Sequence, residues 1–170
     1  FFNFYNNLIN SPELMEAAEK YGYRIAFCPH PNLHPHLGLF GKNPKVEFLG
    51  TEVEYRDIYA KSELAVTDYS SAVFDFAYMR KPIVYTHFDA EDFFAGDHVY
   101  TKGYFDYERD GFGEVVYDLD STVKCIVGYM ENGCKLKDKY RERVDDFFIH
   151  NDKNNCQRVY EKIIALDIKD

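Results

Sequence analysis

Short apolar runs alternate with amphipathic stretches along the first two thirds of the chain, and each boundary carries its own chemical punctuation. Residues 2–9 read as helix-like. Ser11 offers an N-cap hydroxyl, Pro12 a φ preset for the first helical position and Glu13 an early acid, so a helix is expected over 12–21, stopped by Gly22. Apolar runs at 23–28, 46–49, 64–67, 83–86 and 114–117 predict five short strands, the second lying between the turn signals Gly41-Lys42-Asn43-Pro44 and Gly50. Short helices are expected at 55–61 and 72–80. The last third reads as helical: 121–131 ending at Asn132-Gly133, then 135–148 with Leu136, Tyr140, Val144 and Phe147 along one face, then 152–166.

Strands separated by helices imply right-handed crossovers and an α/β fold, a Rossmann-like parallel sheet with helices on both faces. The stretch 88–112 is aromatic-rich and too long for an ordinary connection, which marks it as a functional loop. With 170 residues, 46% of them apolar and 18% aromatic, the chain is one domain long and can fill a core. A net charge of −9 works against duplex nucleic acid or an anionic bilayer as the main partner. Cys28, Cys125, Cys134 and Cys156 show neither Cys-x-x-Cys spacing nor disulfide-scaffold density, which suits a reducing compartment and hence the cytoplasm. No leader opens the chain, and polar residues break every apolar run short of a membrane span, so the domain reads as soluble. A start at Phe1 in a helix-like stretch is expected for a piece of a larger protein.

The candidate chemistry gathers at strand ends. Residues 64–82 give an apolar strand, the hydroxyl-rich turn Asp68-Tyr69-Ser70-Ser71 and a helix stopped before Pro82. Such a turn aims unpaired N–H groups beyond the carboxyl edge of the sheet, where open α/β sheets hold ligands and where a phosphate is the natural occupant. Ser70 and Ser71 would donate to a diphosphate; the plainer alternative is N-capping. Asp68 and Asp75 cannot ligate phosphate without a proton or cation, so they orient the serines, accept from ligand hydroxyls or favour the helix dipole, and for Asp75 the structural role weighs as much as the functional one. His30, between Pro29 and Pro31, would sit at the carboxyl edge of the first strand. His30, His34 and His36 superficially suggest a metal cluster, but Pro35 breaks the geometry and no carboxylate or cysteine completes it, so no metal site is assigned. In the stretch from Gly96 to Gly113, Lys102 and Arg109 would serve as counter-charges for a diphosphate or glycerol phosphate; the alternative is that these charges pair with Asp106, Glu108 and Asp110. His98 is a weaker candidate.

Asp68-Tyr69-Ser70-Ser71 with Phe74-Asp75-Phe76-Ala77, Lys81-Pro82, His30-Pro31-Asn32 and Gly103-Tyr104-Phe105-Asp106-Tyr107-Glu108-Arg109-Asp110-Gly111-Phe112-Gly113 together resemble the CDP-glycerol glycerophosphotransferases, the teichoic-acid polymerases and their relatives. The resemblance runs in order over nearly the whole chain. It implies a two-lobed GT-B transferase, of which residues 1–170 match only the C-terminal, donor-binding lobe, helical from about 119. The implied reaction moves glycerol phosphate, or a related polyol phosphate, from a CDP-activated donor to a teichoic-acid or capsular polymer. In that reaction His30 is catalytic, Asp68, Ser70, Ser71, Asp75, Lys102 and Arg109 serve the donor and its diphosphate, and the general base belongs to the other lobe. No cofactor is implied beyond the CDP-polyol substrate. The lipid-linked polymer acceptor would be reached through the N-terminal lobe, and the full-length protein would be peripheral at the inner face of the cell membrane. The fragment is expected to bind nucleotide and turn over little alone. A non-catalytic nucleotide-binding module and a UDP-sugar-dependent GT-B glycosyltransferase or epimerase lobe stay open as alternatives.

One departure carries a structural expectation. In the resembling family an apolar strand precedes the position of Phe1 and lies centrally in the sheet. Without it the remaining strands close up, another chain supplies the strand by self-association, or the sheet is built differently.

Overall fold

The computed structural model describes residues 1–90 and 103–166. In chain order the elements are α1 (Phe2–Ile9), α2 (Pro12–Tyr21), β1 (Ile25–Phe27), a 3-10 segment (Pro31–Leu39), β2 (Val46–Phe48), α3 (Tyr55–Lys61), β3 (Ala65–Thr67), α4 (Val73–Tyr78), β4 (Ile83–Thr86), β5 (Glu114–Val116), α5 (Leu119–Glu131), α6 (Asp138–Phe147) and α7 (Asn155–Ile164). No described helix is long and apolar enough to cross a membrane.

Local chemistry sets most boundaries. The Ser11 hydroxyl accepts from the Leu14 N–H at 3.3 Å, and Gly22, at φ 76°, turns the chain out of α2. Helix α5 starts at Leu119 rather than 121, because the Asp118 carboxylate takes the Ser121 N–H at 2.7 Å and becomes the cap. Helix α7 starts at Asn155 rather than 152, because Asp152 is spent in the preceding turn, accepting from the Asn154 N–H at 2.8 Å and pairing with Arg158. Helix α4 is shorter than the expected 72–80, with Ala72 as its cap residue.

All strand pairings are parallel. Ile25 stands opposite Val46 in β1–β2, Ala65 opposite Ile83 in β3–β4, and Val84 opposite Glu114 in β4–β5. Helices cover both faces, as β4 shows by alternation: Ile83 and Tyr85 pack with Val73, Phe76, Phe112 and Val144 of the α4 and α6 side, whereas Val84 packs with Tyr129 of α5 and Cys134. A second core joins α1, α2 and α5 through Tyr5, Leu8, Leu14, Val123 and Ile126.

The sheet differs from one continuous layer. It is split into β1–β2 and β3–β4–β5, and a cleft of about 1940 Å³ runs between β1 and β3, with Ile25, Ala26 and Phe27 on one wall and Ala65, Val66 and Thr67 on the other. The strands have not closed up. Burial records the gap: every residue of β4 is buried, β3 is half-buried throughout, and Ala26 in β1 is exposed.

Two motif residues turn out to be architectural. The Lys81 ammonium donates to the carbonyls of Tyr59, Ala60 and Ser62 at 2.8, 3.0 and 2.6 Å, closing the C-terminal end of α3, where a cation also suits the helix dipole. At Gly113 a Cβ would lie 1.9 Å from the Ile83 carbonyl oxygen, so only glycine lets the segment entering β5 pass this close to β4.

Candidate functional site

The carboxyl ends of β1 and β3 open onto the same cleft. His30, just past β1, and Asp68, Tyr69, Ser70 and Ser71, just past β3, all line it. Two chain segments that are far apart in sequence therefore face one cleft, as the strand-end rule for open α/β sheets leads one to expect.

His30 caps the 3-10 segment: its Nδ1 accepts from the Asn32 N–H at 3.2 Å. A neutral imidazole that accepts at Nδ1 carries its proton on Nε2, so the exposed ring offers a donor at the cleft. The Asp68 carboxylate accepts from the Tyr69 N–H at 2.8 Å and thereby braces the turn that presents the serines. The Ser70 hydroxyl accepts from the Ala72 N–H at 3.4 Å. Both serines are exposed, and the Tyr59 hydroxyl fixes the turn from behind by donating to the Ala72 carbonyl at 3.2 Å. The serines thus stand in the turn before α4, and the cap position itself falls to Ala72.

The remaining sequence candidates stand elsewhere. Asp75 is exposed in the first turn of α4 and is not among the cleft-lining residues, a position that serves the helix dipole. Arg109 also lies outside the cleft wall. Its guanidinium grips Asp110 through Nε at 2.7 Å and Nη2 at 2.6 Å and reaches the Tyr104 carbonyl at 2.8 Å. That pairing holds the Asp110 carboxyl down at about 2. Asp106 accepts from the N–H groups of Glu108 and Arg109 at 3.1 and 2.9 Å, so 106–110 is a compact, self-paired turn, which is the alternative weighed for these charges. Lys102 and His98 lie outside the described residues.

The structure adds groups that sequence reasoning passed over. Tyr107 lines the cleft and donates to the Tyr69 carbonyl at 3.3 Å, tying the 103–111 loop to the serine turn. Tyr117 donates to Glu108 at 2.5 Å, a bond that pushes its hydroxyl up to about 12. His87 follows β4 directly and lines the same cleft. The rule that singles out Asp68, the residue after a strand at the carboxyl edge, would also have found His87.

The family model described as CDP-Glycerol:Poly(glycerophosphate) glycerophosphotransferase matches residues 2–165. The minor teichoic acid biosynthesis protein GgaB of Bacillus subtilis (strain 168) is 40% identical over 167 residues, covering 98% of this chain and 18% of GgaB. The teichoic acid ribitol-phosphate polymerase TarL of Staphylococcus aureus (strain NCTC 8325 / PS 47) is 24% identical over 160 residues, covering 92% of this chain and 27% of TarL. Among solved structures, the wall teichoic acid polymerase TagF superposes with a TM-score of 0.63 at 19% identity, over 92% of this chain and 38% of TagF. A form of TagF soaked with CDPG gives 0.61 at 20% identity. The chain spans well under half the length of each of these relatives, and the likeness to TagF is one of fold.

Proposed function

The chain belongs to the CDP-Glycerol:Poly(glycerophosphate) glycerophosphotransferase family, and from that premise we propose that it is the donor-binding lobe of a transferase that moves a polyol phosphate from a CDP-activated donor to a polymer hydroxyl. The observation that carries this reading is the convergence of His30 and the Asp68–Ser71 turn on one cleft. In the reaction, the acceptor oxygen bonds to the donor's β-phosphorus, the bond from that phosphorus to the bridging oxygen breaks, and CMP leaves with the electron pair. Such phosphoryl chemistry gains its rate from positioning and charge stabilisation. The Nε2 proton of His30 is the group offered to the leaving phosphate, and the serine hydroxyls with the N–H groups of their turn cradle the diphosphate. The acceptor, a lipid-linked polymer, and the general base belong to a second lobe. The working place is the cytoplasmic face of the membrane, where the full-length protein is peripheral.

The family is described by glycerophosphate transfer and TarL is by name a ribitol-phosphate polymerase, so glycerol phosphate and ribitol phosphate are both within the range of this reading. Titration calorimetry with CDP-glycerol, CDP-ribitol, CMP and UDP-sugars tests it. Cytidine ligands are expected to bind at about 0.1–1 mM, since one lobe supplies part of the full contact set. Binding of UDP-sugars with no response to millimolar CDP ligands would overturn the donor assignment.

A further inference from the structure

His87 is only 6% exposed, and its Nε2 is buried without a hydrogen-bond partner among the described residues. Buried polar atoms are ordinarily satisfied, and an orphan on the wall of a ligand cleft points to a partner that arrives with the ligand. The ring is rigidly held. It stacks on Tyr69 with centroids 4.3 Å apart and an interplanar angle of 20°, and it meets Tyr107 edge-on at 4.6 Å. Tyr85 and Tyr117 pack further out, at 6.2 and 6.4 Å. Among the described residues, the Asp68 backbone and the carboxylates of Asp68 at the end of β3, Asp89 after β4 and Glu108 in the 103–111 loop act on the ring, each favouring its protonated form. Burial nevertheless pushes the imidazole below its ordinary 6.5, so it is uncharged at neutral pH.

These surroundings select the ligand chemistry. The carboxylates around the ring disfavour a phosphate beside it, whereas a hydroxyl is small, uncharged and can donate to nitrogen and carboxylate alike. We propose that His87 is a binding residue of the donor cleft that takes a hydroxyl of the ligand's ribose or polyol, while the diphosphate lies towards His30 and the serine turn. The inference rests on the CDP-polyol reading given above. Entry of the hydroxyl turns a covering ring aside, and Tyr117, half exposed and anchored by Glu108, has the least packing to lose.

The test compares the wild type with His87→Phe, which keeps the ring stack and loses both nitrogens, and His87→Gln, which restores a polar group. Each protein is titrated calorimetrically with CDP-glycerol, CDP and inorganic pyrophosphate, and folding is followed by thermal melting and circular dichroism. His87→Phe is expected to weaken CDP-glycerol by about tenfold, the worth of one hydrogen bond, with partial recovery in His87→Gln. An equal loss for CDP identifies the ribose hydroxyl, and a loss confined to CDP-glycerol identifies the polyol hydroxyl. Pyrophosphate binding weakened to the same extent would overturn the proposal by assigning His87 to the diphosphate. Unchanged affinities in both folded variants would overturn it alone, whereas a wild type that ignores every cytidine ligand would overturn the CDP-polyol reading and this inference with it.

Discussion

At the scale of single residues, the two histidines on the cleft do opposite things because their surroundings differ. His30 is exposed, has Nδ1 committed to the Asn32 N–H and so presents Nε2–H outwards. His30→Ala is expected to weaken CDP-glycerol binding by about 1.5–3 kcal/mol, the worth of a hydrogen bond to a charged group, with the circular dichroism spectrum intact. Equal affinity would leave His30 as a cap and nothing more. His87 is buried, and its folded-state value lies below the ordinary imidazole 6.5, pushed down by burial against the pull of Asp68, Asp89 and Glu108. The unfolded chain therefore takes up this proton first, so the contribution of His87 to stability is complete above about pH 6.5 and is lost as pH falls through the folded-state value. Asp110, held down by Arg109, adds a similar dependence only below its own ordinary value of 3.8. Melting curves between pH 7 and 5 should fall more steeply for the wild type than for His87→Phe, and parallel curves would remove His87 as the source.

At the scale of elements, the chemistry of a motif divides into parts that touch the cleft and parts that hold the frame. Lys81→Met removes three bonds from the end of α3 and is expected to cost about 1.5–3 kcal/mol of stability, measured by urea unfolding, without a direct effect on nucleotide affinity. Gly113→Ala forces a Cβ against the Ile83 carbonyl and is expected to cost more than about 3 kcal/mol, the range of severe core disruption, or to abolish folding. Stability within 1 kcal/mol of wild type, roughly the spread of surface substitutions, would contradict the close approach. Every described strand and most helices are legible in the chain because apolar period, Ser-Pro starts and glycine stops are local signals, as at Ser11-Pro12 and Gly22. Helix starts at Leu119 and Asn155 slipped because Asp118 and Asp152 compete as caps or turn formers, and only three-dimensional geometry decides between neighbouring acids. The convergence of His30 with the serine turn follows from strand order, a topological rule. By contrast, the self-pairing of Arg109 with Asp110 and the burial of His87 depend on packing between distant segments, which no local pattern encodes.

At the scale of the whole molecule, the split sheet is the feature with the largest physical consequence. Strands β1 and β3 each pair on one side, with β2 and β4, and face the cleft with the other. Backbone N–H and C=O groups along such edges, set between apolar walls, form a template for another extended segment, and natural sheets normally cover or charge their edges to prevent this. Ile25-Ala26-Phe27 and Ala65-Val66-Thr67 carry no charged side chain, and among the described residues both strands line the open cleft. Residues 1–170 are accordingly expected to self-associate through the cleft, with sedimentation equilibrium giving a mass above that of the monomer that rises with concentration. Ala26→Lys, at an exposed position on the β1 wall, places a charge where a second strand would lie and should return the protein to a monomer without lowering its melting temperature. A chain that is monomeric at every concentration, with Ala26→Lys indistinguishable from the wild type, would mean that water alone satisfies the two edges and that the cleft between β1 and β3 exerts no pull on other polypeptide.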